Sequence, residues 1–334
     1  MKLFIKISSY FFLFSVLNCT EKKQNLIHSE IDEFTSKEKI QAFIRKIDTT
    51  YKNYEVKRIE DFTRKDFVFV ENQKLAKKEN VNESFYKTDF DNNGYTDLLV
   101  LGDAYHCIGS GNQSCSYDPI VILNFGNKKY HIFTISKGFQ EYFTPKIEII
   151  NGKNILTIHK PIVKSWEKKT FEESPFVQNL EYKFGEFIEY NSNDKNYIPI
   201  KKIEVSTDGC FGVCPVFQLS ISKDRKAIFI AEHFNFSQDW ESLSNDFEGK
   251  FHTVIDQKNY DDLINTLQYI DFPNLNNNYS VDWTDDQTVT LTITYADNKV
   301  KKIQDYGAIG TYGLKSVYKK LFDLRKNQYW VKDK

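Results

Sequence analysis

No catalytic signature can be assembled from this chain. Its six histidines, His28, His106, His131, His159, His233 and His252, are scattered, and none stands at a His-Glu-x-x-His or His-x-His spacing. His106 alone adjoins a second soft ligand, Cys107. A nucleophile elbow, a phosphate loop and a dinucleotide fingerprint are also missing. Gly307, Gly310 and Gly313 lack phosphate-loop spacing and read as a flexible turn. A formal net charge of -1 supplies no basic field for nucleic acid, which excludes that class of partner. Beyond the N-terminus no apolar run approaches the roughly 18 residues that a membrane-spanning helix needs. No repeat recurs at the period of a propeller blade.

What is present begins with a compartment signal. Lys2 and Lys6 form a basic start, Ile7 to Leu17 an apolar stretch too short to span a bilayer, and Val16-Leu17-Asn18-Cys19 closes it. Residues 1–19 resemble a lipoprotein signal peptide, which implies lipidation at Cys19 and a Gram-negative cell-envelope protein held at the outer membrane by its lipid. Cys19 is one of five cysteines; the other four form two sequence-local pairs, Cys107 with Cys115 and Cys210 with Cys214. An oxidising envelope makes both pairs disulfides, each worth on the order of 2–3 kcal/mol because the loops they close are short.

Cys210-Phe211-Gly212-Val213-Cys214-Pro215 carries two further readings, a thiol redox pair and a copper-handling thiol site. Both need an activated thiolate, which a helix N-terminus supplies. Here Phe217, Leu219 and Ile221 alternate with Gln218, Ser220 and Ser222, the period of a strand, and a structural disulfide pinning the strand entry is the plainer account. The surroundings, about residues 197–330, resemble a bacterial domain-of-unknown-function family found at the C-terminus of secreted lipoproteins. Its signature is this Cys-Phe-Gly-x-Cys-Pro followed by a strand, joined here by Thr284-Asp285 and Asp305-Tyr306-Gly307. The resemblance implies a fold and no activity.

With 40% hydrophobic and 16% aromatic residues in 334, the chain has material for two domains, both expected to be α+β with helices on an antiparallel sheet. Residues 20–34 are polar and aperiodic and read as a tether. Residues 35–195 form a β-rich domain. It opens with a helix capped by Thr35 and Glu38 and striped by Ile40, Phe43, Ile44 and Ile47, and continues as three hairpins in one meander. The hairpins are Ile120–Asn124 with Tyr130–Ile135, Lys146–Ile150 with Ile155–His159, and Leu180–Phe184 with Phe187–Tyr190. Residues 196–334 read strand, strand, strand, helix, strand, strand, helix, with both helices on one face of the sheet.

Two acidic groups are candidate sites. Asp282, Asp285 and Asp286 stand close together near Tyr279 and Trp283, a composition that suits glycoside cleavage with stacking on sugar, or a solvated turn. The second is Asp89-Phe90-Asp91-Asn92-Asn93-Gly94-Tyr95-Thr96-Asp97. Asp89, Asp91, Asn93 and Asp97 place oxygen ligands at positions 1, 3, 5 and 9, Tyr95 offers a backbone carbonyl at 7, and Gly94 makes the sharp turn. The stretch resembles the calcium loops of integrin-type propeller repeats, although a single copy does not build a propeller. The alternative is an Asp/Asn/Gly hairpin turn without metal. The expectation is therefore a non-enzymatic, lipid-anchored binding protein with a calcium loop and an envelope protein or glycan as partner. The competing classes are a carbohydrate-active hydrolase and a thiol or copper protein.

Overall fold

The computed structural model describes residues 26–104, 117–138, 141–192, 197–235 and 248–334. The leader with Cys19, the first residues of the expected tether, and the pair Cys107 and Cys115 lie outside the described residues. The described architecture is α+β, with several antiparallel sheets and helices packed on them.

Ile27 donates its N–H to the Gly94 carbonyl and the chain is buried from Ile31, so the last residues of the expected tether belong to the folded body. Ser29 donates its backbone N–H to Asp32 at 2.7 Å, closing a 3-10 turn that drives Ile31 into full burial beside Phe34, Ile40 and Leu98. One turn with two apolar residues is too short to show a period, so the sequence conceals it. Helix α1 (Lys37–Ile47) follows, with Ser36 rather than Thr35 at its N-cap, and it buries Ile40, Phe43 and Ile44 as its spacing predicts. Helix α2 (Phe67–Lys78) was not expected. The stretch Phe67-Val68-Phe69-Val70 looks strand-like, but Asp66 accepts the Phe69 N–H at 2.9 Å and so starts a helix. Its buried Asn72 is satisfied by the Phe143 carbonyl and by Thr144.

The first sheet runs in sequence order: β1 (Phe85–Thr88), β2 (Asp97–Val100), β3 (Ile120–Asn124) and β4 (Tyr130–Thr134). Both faces of its central strands are covered. Leu98, Val100, Ile120 and Ile122 face α1, while Leu99, Val121 and Leu123 face a second four-stranded sheet. That second sheet is a meander of β5 (Thr144–Ile150), β6 (Lys153–Lys160), β7 (Phe176–Lys183) and β8 (Glu186–Glu189). Its tight turns, Asn151-Gly152 and Phe184-Gly185, have all four residues at positive φ, as two-residue hairpins require. The three predicted hairpins are thus present, but they divide between two stacked sheets and do not form one meander.

The third sheet has eight strands. Its spatial order is β13-β15-β14-β9-β10-β11-β12-β16, with β9 (Ile200–Thr207), β10 (Val216–Ser222), β11 (Lys226–His233), β12 (Gly249–Val254), β13 (Asn278–Ser280), β14 (Thr288–Tyr295), β15 (Lys299–Tyr306) and β16 (Val331–Lys332). All pairings are antiparallel except β13 with β15. The five long strands predicted from alternation are present, and the additions lie at the edges. Helices α3 (Gln257–Tyr269) and α4 (Tyr312–Asn327) contribute Leu263, Leu267, Leu314, Val317 and Leu321 to the same core as Ile203, Leu219, Phe229 and Leu291. Both helices therefore cover one face, as expected. The other face presents Gln218, Ser220, Thr290, Thr292 and Lys302, none of them buried.

Polar contacts join the second sheet to α4. Glu189, the last residue of β8, accepts the N–H groups of Tyr312 and Gly313 at 2.6 and 2.7 Å, so a carboxylate from one sheet caps the helix that covers another. Lys137 donates to the Gly310 carbonyl at 2.8 Å, and Tyr312 donates its hydroxyl to the Ile135 carbonyl at 3.1 Å. The glycine stretch before α4 is tightly packed, against the expectation of a flexible turn. A Cβ at Gly310 would lie 2.7 Å from Asp305 Oδ2, and one at Gly313 would lie 2.4 Å from Ile270 Cγ2. Glu189→Ala is expected to lower stability by about 2 kcal/mol, the combined worth of two charge-assisted bonds at a helix N-terminus, with Glu189→Gln intermediate. Urea denaturation followed by circular dichroism measures this; wild-type midpoints for both variants would remove Glu189 as a determinant of the junction.

Candidate metal centre

The loop between β1 and β2 is built by its own side chains. Asp89 accepts from Asn93 N at 3.2 Å and from Gly94 N at 2.9 Å, folding the chain back on itself. Asn92 and Gly94 take positive φ to allow it. Asp97 then ties the loop to the sheet, one oxygen accepting from Phe90 N and the other from Asn124 N, both at 2.8 Å. Asn154 of β6 reaches the Asp89 carbonyl at 2.7 Å. The Tyr95 ring covers Gly126, where a Cβ would come within 2.7 Å of it.

These constraints bring together three of the predicted ligands. Asp89, Asp91 and Asp97 each offer a carboxylate oxygen, and the three atoms lie within 4.8 Å of one another, an arrangement that can coordinate a metal ion. Asp97 is fully buried and Asp89 nearly so. No lysine or arginine among the described residues pairs with any of the three. Burial pushes the Asp97 carboxyl up to about 8, with the charges of Asp91 and Asp89 adding to the effect against two backbone N–H donors. Burial likewise raises Asp91 to about 6, and the neighbouring Asp89 carboxyl reinforces it. An all-oxygen donor set suits a hard divalent cation and not copper or another thiophilic metal. Such an ion, when bound, would be held by Asp89, Asp91 and Asp97 and would neutralise their mutual repulsion.

The side chains of the other two predicted ligands, Asn93 and Tyr95, brace the loop. Asn93 accepts from Tyr95 N at 2.7 Å and donates to Asp91 Oδ2 and the Asn124 carbonyl, so its amide braces the loop. Tyr95 contributes its ring to the Gly126 contact. The bracing residues Asn124 and Asn154 carry no local signal, because they stand on β3 and β6, far along the chain from the loop.

The second acidic group takes part in a turn. Asp282 and Asp285 are exposed, and Asp285 sits at φ 69° with its carbonyl accepting from Phe211 N. Asp286 accepts from Trp283 Nε1 at 2.8 Å and from Gln287 N at 2.7 Å. Tyr279 accepts from Asn276 N at 3.0 Å and packs on the C-terminal core, and Trp283 lies against Gly138. The three aspartates do not form a convergent ligand group among the described residues.

Cys210 and Cys214 form a disulfide with Cα atoms 5.7 Å apart, and β10 follows it as the alternation predicts. Thr207 and Gln287 both donate to the Pro215 carbonyl, fixing the end of the loop. The loop leaves Phe211 90% exposed. Replacing both cysteines with serine is expected to lower stability by about 2 kcal/mol while leaving the fold intact. Chemical denaturation of the two proteins, with copper content measured on each, checks this; stoichiometric copper in the wild type alone would contradict a structural role.

Residues 201–325 match a family model described as a domain of unknown function (DUF6438), a stretch that runs from within β9 to within α4 and includes the disulfide loop. No curated protein and no solved structure matches the chain.

Proposed function

We propose that this chain is a non-enzymatic, lipid-anchored envelope protein whose β-rich N-terminal part, residues 35–195, binds calcium and whose C-terminal part, residues 196–334, serves in binding a protein or glycan partner. The observation that carries the reading is the cluster Asp89, Asp91 and Asp97, two of the three buried, with which no lysine or arginine among the described residues pairs. Calcium fits better than magnesium because the donors sit on a turn with no fixed octahedral frame, and calcium tolerates irregular oxygen cages. No bidentate glutamate is available in the loop, so the affinity is of the weak extracellular kind, about 0.1–1 mM. The lipid anchor rests on the leader ending in Cys19. An exposed Phe211 on a disulfide-closed loop suits a binding role, since a rigid aromatic loses little entropy on docking.

Melting curves in calcium, magnesium and chelator, on wild type and Asp91→Ala, test the metal. Binding only the folded state adds about 1.4 kcal/mol at ten times the dissociation constant. The wild type should melt higher in millimolar calcium than in chelator, and Asp91→Ala should not respond. A wild-type melting temperature indifferent to calcium would reduce the loop to an acidic turn. For the anchor, Cys19→Ala should leave the precursor unprocessed and out of the membrane fraction; unchanged processing would refute lipidation.

A further inference from the structure

A second candidate site, separate from the aspartate loop, lies where the two stacked sheets meet α4. A cleft of about 340 Å³ opens there, within the range of about 300–1,000 Å³ usual for small-molecule sites. Phe133, Leu180, Phe187, Tyr312 and Phe322 make most of its wall, so the interior is apolar.

Polar and charged groups interrupt that wall. Ser316 is 3% exposed and lines the cleft, and its Oγ has no hydrogen-bond partner among the described residues. A serine inside a helix ordinarily donates to the carbonyl one turn back, and leaving a buried hydroxyl unpaired costs about 1–3 kcal/mol. Lys315, the adjacent residue, stands at the rim. Among the described residues no carboxylate lies within ion-pair distance of it, and Glu186 of the same cleft is paired with Lys319. Lys315 is exposed as a whole residue, but partial desolvation of its ammonium, with Lys137 and Lys319 nearby, holds it below the ordinary lysine range against the pull of Glu186 and Glu141. Asp323 lies eight residues further along α4, about 12 Å away at 1.5 Å per residue, and marks the opposite, anion-repelling end. Tyr318 also lines the cleft, and among the described residues its buried hydroxyl makes no hydrogen bond, with the Asp305 carboxyl nearby.

We propose that this cleft binds an apolar monocarboxylate, a medium-chain fatty acid or a molecule of that chemistry, with its carboxylate at Lys315 and Ser316 and its tail against Phe133, Phe187 and Phe322. The carboxylate supplies the anion that Lys315 lacks and an acceptor for the Ser316 hydroxyl. The tail takes apolar wall out of water.

Calorimetric titration of the full soluble chain with decanoate, decanol and decylamine, below their micellar concentrations, tests the assignment. Decanoate should bind saturably at one site, and decanol and decylamine at least about ten-fold more weakly. Lys315→Glu, a rim substitution that leaves the core untouched, should weaken decanoate about ten-fold or more, and Ser316→Leu should abolish binding by filling the cleft. If Ser316→Leu does not fold, as its melting curve will show, Lys315→Glu decides the question. Absence of saturable binding up to about 1 mM, equal binding of decylamine, or wild-type affinity in Lys315→Glu overturns the proposal. Calcium dependence is not expected, so a failure here is distinct from a failure of the metal loop.

Discussion

Three carboxylates, two of them buried, converge on one turn where no lysine or arginine among the described residues pairs with them, and much of the N-terminal structure is arranged around that fact. Asp97 opens β2, accepts from the strand beside it through Asn124, and closes the loop through Phe90. The same loop holds the start of the described chain: Ile27 donates to the Gly94 carbonyl at 2.7 Å, and Thr96 donates to Asp32 at 2.6 Å. Charge balance at the aspartates thus reaches the segment that leads from the N-terminus into α1. A cation in the turn would relieve the repulsion and tighten both attachments together.

The remainder of the fold depends on how α4 is seated. It lies on the eight-stranded sheet through Leu314, Val317 and Leu321, yet its first turn is held by Glu189 from the second sheet. Lys320 adds a bond to the Phe184 carbonyl in the β7–β8 turn, and Asn191 bonds Tyr269 at the end of α3. The cleft exists because α4 touches the second sheet at its start and through these polar contacts, with aromatic side chains lining the gap between. One helix therefore closes the C-terminal core, meets the second sheet and forms one side of a ligand-sized space.

Local features were legible in the sequence and distant ones were not. The alternation of Thr288 to Tyr295 and the stripe of Leu263, Ile264 and Leu267 are periodic over enough residues to fix type and buried face. The turns at Gly152 and Gly185 reveal themselves because few residues accept positive φ. Helix α2 was missed because alternating Phe and Val mimic a strand until Asp66 caps them. The three clustered aspartates, Asp89, Asp91 and Asp97, were legible because all their spacing is local. The bracing role of the Asn93 amide was not legible, because it serves Asn124, whose position only the folded sheet determines. The capping role of Glu189 was invisible for the same reason: its partners, Tyr312 and Gly313, are remote in sequence and meet it only through tertiary packing.

Hydrogen–deuterium exchange with and without calcium tests the central claim most directly, because it reads the loop itself. If an ion satisfies the carboxylates, exchange should slow selectively at the amides of Phe90, Asn93, Gly94 and Asn124 and at Ile27, which is attached to the loop, while the eight-stranded sheet stays unchanged. Exchange in the loop that is identical in calcium and chelator, or a change spread evenly over the whole chain, would contradict the account.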